Sequence, residues 1–251
     1  MTLSPAEVKQ FDELGYLFFP NCFNEEEIAL LRDDAEAILK LDRQEIWREK
    51  SGAPRTAFAA HTFNETFRLL ASHPRLIEPL RQLFSEDVYV HQFKINAKAA
   101  FEGDVWQWHQ DYGTWARDDG MPEPRAMNIA VFLDEVMPIN GALMLIPRSH
   151  RQGVLAAGHD TLTTSYPLWM LDKETVTRLA AEGRHCGADR QSRLGPDVPR
   201  QSGARLAAEH HALSAQDRLF DALCCLKPHH QIHPAGMDRT SRFHAARPGR
   251  R

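Results

Sequence analysis

Residues 106–111 read Trp106-Gln107-Trp108-His109-Gln110-Asp111. On an extended segment, residues two apart face one side, so the His109 imidazole and the Asp111 carboxylate can meet one cation. Two such ligands joined by a distant His make a 2-His-1-carboxylate face, which leaves positions open on Fe(II) for a co-substrate and O₂. A surface His beside an Asp has the same spelling, so the flanking sequence decides between the two readings.

Upstream lies Val88-Tyr89-Val90-His91-Gln92-Phe93-Lys94-Ile95-Asn96-Ala97-Lys98. Its alternation predicts a strand with Gln92, Lys94, Asn96 and Lys98 on one face and Phe93, Ile95 and Ala97 on the other. The polar face is either solvated or the lining of a barrel aimed at an anionic co-substrate. Downstream, Asp118-Asp119-Gly120-Met121-Pro122 is loop chemistry, and Arg125 to Leu133 reads as a strand. Asn140-Gly141 is a hairpin signal before a second strand, Ala142 to Ile146, closed by Pro147-Arg148-Ser149-His150. Further upstream, Ser4-Pro5-Ala6-Glu7 is a capping box that opens a helix to about Leu14, stopped by Gly15. Tyr16 to Phe19 reads as a short buried strand ending at Pro20. Asn24 with Glu27 opens an amphipathic helix to about Leu41, with Ile28, Leu31, Ala35 and Leu39 on one face. Residues 42–60 are polar and irregular, either a surface loop or a lid, and Arg75 to Phe84 is a further helix. The sum is a mostly β protein with N-terminal helices, a double-stranded β-helix (jelly-roll, cupin-like) barrel.

Composition narrows the function. A chain of 251 residues can build one sizeable core. The net charge of −4 gives no reason to expect a nucleic-acid partner. No apolar run reaches membrane-spanning length, and residues 1–20 carry no charged start followed by an apolar core, so no secretory signal is expected. Cys22, Cys186, Cys224 and Cys225 have neither metal-type nor disulfide-type spacing, and a reducing cytoplasm is the simplest home. The oligomeric state is not legible.

Taken together, these motifs resemble the phytanoyl-CoA dioxygenase family of Fe(II)/2-oxoglutarate oxygenases, within it the ectoine hydroxylase branch. The resemblance is carried by His91-Gln92-x-Lys94-x-Asn96, Phe101-Glu102-Gly103, Trp108-His109-x-Asp111-x-x-Thr114-Trp115, Asp119-Gly120-Met121-Pro122, Arg125-Ala126 and Asn140-Gly141-x-Leu143-Met144-x-Ile146-Pro147-x-Ser149-His150, with the Gly-Tyr-Leu-Phe-Phe-Pro opening. It covers roughly residues 1 to 180. It implies that His109 and Asp111 bind iron, that Gln92, Asn96 and Trp108 lie near 2-oxoglutarate, and that Lys94, Thr114 and Trp115 line the substrate side. It implies O₂ and a small molecule as partners and hydroxylation of a C–H bond as the reaction. Halogenating relatives lose the carboxylate that Asp111 keeps. Three positions depart: Lys94 stands for Arg and cannot reproduce its bidentate fork, Tyr112-Gly113 stands for Phe-Glu, and Arg148 stands for Gly. These departures point away from ectoine as substrate.

Residues 185–251 break the pattern. All five Trp and all four Tyr precede them, Arg is dense, and no strand of barrel type is legible. The family's second iron-binding His and the Arg that clamps 2-oxoglutarate have no clear counterpart. The expected division is therefore 1–184, helices plus oxygenase core, and 185–251, an aberrant and poorly ordered tail. A reading-frame shift near Gly183-Arg184 accounts for this: one permitted reading in the next frame gives a His-Gly pair whose His straddles the codons of Ala204 and Arg205, and an Arg that straddles those of Ala215 and Gln216. Alternatively the tail is native and one of His210, His211, His229, His230 or His233 completes the site. The rival functional readings are a catalytically dead barrel or truncated product acting as a binding module, and a cupin-like metal enzyme without 2-oxoglutarate.

Overall fold

The computed structural model describes residues 1–97, 107–134, 143–160 and 168–185, together with the backbone of 203–208 and 221–228. The first helices form where their caps place them. In α1 (Pro5–Leu14) the Ser4 hydroxyl oxygen accepts from the Glu7 N–H and Glu7 accepts from the Ser4 N–H at 2.7 Å, while Gly15 ends the helix at φ 84°. Asn24 and Glu27 repeat the device at α2 (Glu25–Leu39), which buries Ile28, Leu31, Ala35 and Leu39. Next come α3 (Glu65–Ala71) and α4 (Pro74–Phe84), the latter begun by the His73 ring accepting from the Arg75 N–H.

The strands are β1 (Tyr16–Pro20), β2 (Ile46–Arg48), β3 (Pro54–Phe58), β4 (Val88–Asn96), β5 (Met127–Phe132), β6 (Gly158–Asp160), β7 (Leu168–Met170), β8 (Gly203–Ala208) and β9 (Asp221–Pro228). Seven form one antiparallel sheet in the order β1-β8-β5-β9-β4-β3-β2, and β6 pairs with β7. Phe93 and Ile95 of β4 and Met127, Ile129 and Val131 of β5 share a buried cluster with Leu17, Ile28, Leu31, Phe67 and Leu80, so the helices cover one face of the sheet. Alternation turns Gln92, Lys94, Asn96 and Asn128 the other way, toward α5 (Asp111–Asp118). The last helix, α6 (Lys173–His185), is capped by Asp172, which accepts from the Thr175 N–H at 2.7 Å.

Four expectations need correction. The protein mixes helices and strands rather than being mostly β, and among the described residues the sheet ends at β1 and β2 without closing. Residues 42–60 are not an irregular loop: they hold the β2–β3 hairpin. Their strand character is masked because Arg55 is buried and paired with Glu49 at 3.5 Å, so charges sit where apolar residues would have signalled burial. Residues 143–146 are not a strand. Their surroundings are bonded in other ways, the Arg148 N–H donating to Leu14 O and the Ser149 hydroxyl to Ile146 O. The other strand residue, Ala142, and the Asn140-Gly141 signal lie outside the described residues, as do Lys98 and the Phe101-Glu102-Gly103 motif. Finally, β8 and β9 arise from the tail, where no strand was legible. Without them both sides of β5 would be open edges, and unpaired N–H and C=O rows take up any backbone within reach. The candidate tail histidines lie outside the described residues.

Candidate metal centre

The His-x-Asp stretch is half strand and half helix. His109 is extended, bridged to Met170 of β7, with the Leu171 N–H donating to Trp108 O at 2.7 Å. Gln110 is the N-cap of α5 in β conformation, and Asp111 is its first residue. A carboxylate at that end is favoured by the helix dipole. The expected fully extended pair is thus corrected in geometry, yet both side chains still converge: His109 Nε2 lies 3.4 Å from Asp111 Oδ1, and both residues are buried, at 3% and 8% exposure.

Each group is held. The His109 Nδ1 nitrogen is 2.6 Å from Gln107 O, and a carbonyl only accepts, so Nδ1 carries a proton and Nε2 is the atom turned to Asp111. Asn128 of β5 donates from Nδ2 to Asp111 Oδ2 at 2.5 Å. Burial pushes the Asp111 carboxyl up, but the adjoining His109 ring, the charge of Lys94 and the Asn128 bond together hold it below its ordinary value. Gln110, buried, clamps the stretch to the following loop: its Nε2 donates to Gly153 O at 2.8 Å and its Oε1 accepts from the Leu155 N–H at 2.9 Å.

The remaining expected residues are placed as follows. Thr114 and Trp115 stand three and four residues after Asp111, on the same face of α5. Trp115 is buried and meets the His91 ring edge-on at 5.2 Å. Lys94 is buried with its ammonium 5.9 Å from the Phe58 ring centre. Asn96 accepts from the Thr56 hydroxyl at 3.0 Å. Trp108 is half-buried against Ile146, Leu171 and Leu179. Two buried polar atoms among these residues, Gln92 Oε1 and Thr114 Oγ1, find no hydrogen-bond partner among the described residues. Such orphans are rare and point to a missing ligand.

A divalent iron fits this donor set, one imidazole nitrogen and one carboxylate oxygen in a buried corner at a helix N-terminus. Among the described residues no group of three His, Cys, Asp or Glu side chains is arranged to hold a metal. Sequence reasoning missed Gln110 and Asn128. Asn128 had a signal: it is the one polar residue in the fully buried run Met127-Asn128-Ile129-Ala130-Val131-Phe132.

Comparison with known proteins extends these observations. The family model described as Phytanoyl-CoA dioxygenase (PhyH) matches residues 11–218. The ectoine dioxygenase of Bordetella bronchiseptica is 37% identical over 161 residues, covering 62% of this chain and 52% of that protein. The L-proline trans-4-hydroxylase of Streptomyces griseoviridis is 40% identical over 142 residues, covering 56% and 53%. The chain thus spans about half the length of the curated relatives it matches. The crystal structure of EctD from S. alaskensis with 2-oxoglutarate and 5-hydroxyectoine superposes with a TM-score of 0.74 at 27% identity, covering 90% of this chain and 76% of that one. No helix among the described residues is long and apolar enough to cross a membrane.

Proposed function

The chain belongs to the phytanoyl-CoA dioxygenase family of iron- and 2-oxoglutarate-dependent oxygenases, and from that premise we propose that it derives from a hydroxylase of a small polar metabolite built on a double-stranded β-helix core. The carrying observation is the buried pair His109 Nε2 and Asp111 Oδ1, 3.4 Å apart, with the imidazole and the carboxylate each held by a neighbour. Iron with 2-oxoglutarate and O₂ supplies the oxidising power that turns C–H into C–OH, the co-substrate leaving as succinate and CO₂. His109 and Asp111 hold the metal. Gln92, Asn96 and Trp108 bind 2-oxoglutarate, the side-chain N–H groups donating because its carboxylate and keto oxygens only accept. Lys94, Thr114 and Trp115 line the substrate side, and the Lys94 ammonium meets a substrate carboxylate. Lys94 and Gly113, in place of Arg and Glu, set the substrate apart from ectoine.

A second reading is favoured by one observation, that no third metal ligand joins the pair among the described residues. On this reading the chain has lost the distal His and the Arg clamp through a frame shift near Gly183-Arg184, and it acts at most as a binding module. The test is an Fe(II) titration of the 251-residue chain with 2-oxoglutarate, following the metal-to-ligand absorbance band and succinate release. The frame-shift reading expects weak iron binding and little or no succinate. Robust turnover refutes it and leaves the intact hydroxylase standing. The nucleotide sequence around codon 184 gives an independent check: early stops in the shifted frame, or no His-Gly there, sink the frame shift.

A further inference from the structure

We infer that Asn128 is a positioning residue that selects which oxygen of Asp111 faces the metal; this rests on the iron-site reading above. Asn128 sits in the interior of the sheet, in β5 between β8 and β9, inside a run of six buried residues. A buried amide is costly unless it is hydrogen-bonded, and the Asn128 Nδ2 donates to Asp111 Oδ2 at 2.5 Å, in the carboxylate of the metal pair. The two oxygens of a carboxylate are chemically equivalent until something breaks the symmetry. Here the Asn128 donor engages Oδ2 and leaves Oδ1 directed at His109 Nε2, 3.4 Å away. Two ligand atoms each about 2.1 Å from one ion lie about 3 Å apart at a right angle, so this spacing suits a shared cation better than a direct N–H···O bond.

The arrangement has a chemical consequence. Asp111 held through Oδ2 offers one oxygen and spends one coordination position. A carboxylate free to turn about its Cβ–Cγ bond can offer both oxygens and occupy a second position, one that the co-substrate or O₂ needs. Partners of this kind around a ligating carboxylate typically matter 10- to 100-fold in metal affinity. The strand supplies the stiffness. Asn128 pairs with Ala207 on one side and Cys225 on the other, so its backbone is laddered on both edges.

The test uses the full chain and Co(II) alone, read by its visible d–d absorbance. Asn128→Leu keeps the shape without the donor, and Asn128→Ala removes the donor without crowding. Asn64→Ala is the stability control, since Asn64 caps α3 and bonds Asp34, away from the pair. Both Asn128 variants are expected to need roughly 10- to 100-fold more Co(II) and to show shifted bands, while Asn64→Ala lowers the melting temperature and leaves the titration unchanged. Unaltered affinity and spectrum in the Asn128 variants overturn the inference. So does an equal loss in Asn64→Ala, which would make stability the cause, and so does the unfolding of both Asn128 variants. If the parent chain itself shows no Co(II) bands, the metal-site reading falls and takes this inference with it.

Discussion

Replacing Arg148 by glycine should stabilise this protein. Arg148 stands at φ 68°, ψ −2°, in the left-handed region. Its N–H donates to Leu14 O at 2.9 Å, and the turn it opens is tied to α1 again through the Arg151 guanidinium and Asp12 O at 2.6 Å. The tertiary contacts therefore fix the backbone, and the side chain bears the strain. For an L residue that conformation costs roughly 1–2 kcal/mol. Glycine removes the Cβ clash but gives back roughly 0.5–1 kcal/mol through the greater freedom of its unfolded chain. The net gain is about 0.5–1 kcal/mol, or about 1–4 °C in a chain of this size. Arg148→Ala separates the causes, because it keeps Cβ and the backbone bond and discards the guanidinium; it should shift stability by less than about 0.5 kcal/mol. Thermal melts and urea midpoints of the three proteins give the answer. A glycine variant no more stable than the parent refutes the strain argument. An alanine variant that gains as much as glycine would assign the effect to the long side chain.

Gln110→Ala removes both clamps on the loop at Gly153 and Leu155, and since that loop can be reached by water the expected loss is about 1–2 kcal/mol in urea; an unchanged midpoint would mean the clamp is incidental. Burial against the Phe93 ring, 4.9 Å away, holds the His61 ring below its ordinary value. The unfolded chain then takes up that proton first, so the stability His61 contributes is complete above about pH 6.5 and drains as the pH falls below it. His73 and His150, also lowered chiefly by burial, act in the same direction. Stability should decline from pH 7.5 to 5.5, and His61→Gln should make the decline shallower; an equal slope in the variant would rule His61 out as a contributor.

The parts that sequence revealed were those written in local chemistry. The boxes Ser4/Glu7 and Asn24/Glu27 satisfy backbone N–H groups within four residues, so their helices are legible from a short window. The Phe93/Ile95 alternation is equally local, and it correctly picked out the core face of β4. What stayed hidden depends on partners outside that short window. Arg55 is polar in sequence and buried in the fold because Glu49 lies across the hairpin turn. Residues 143–146 have strand composition yet pair with no strand among the described residues, whereas Gly203–Ala208 lacks strand composition and pairs on both sides.

The site shows the same division. His109 and Asp111 were singled out because ligand chemistry restricts residue type, and their side chains do come together, though the conformation expected between them was wrong. Their supports escaped notice because an amide in a strand and an amide at a helix cap look ordinary until the acceptor is known. Yet a lone Asn in a run as apolar as Met127–Phe132 is physically conspicuous: its burial must be compensated, and the compensating partner must lie on the face opposite the helices. That constraint alone would have pointed from β5 to the Asp111 carboxylate. It argues that a solitary amide in an otherwise apolar central strand should be read as a pointer to a buried charged group, before any ligand motif is invoked.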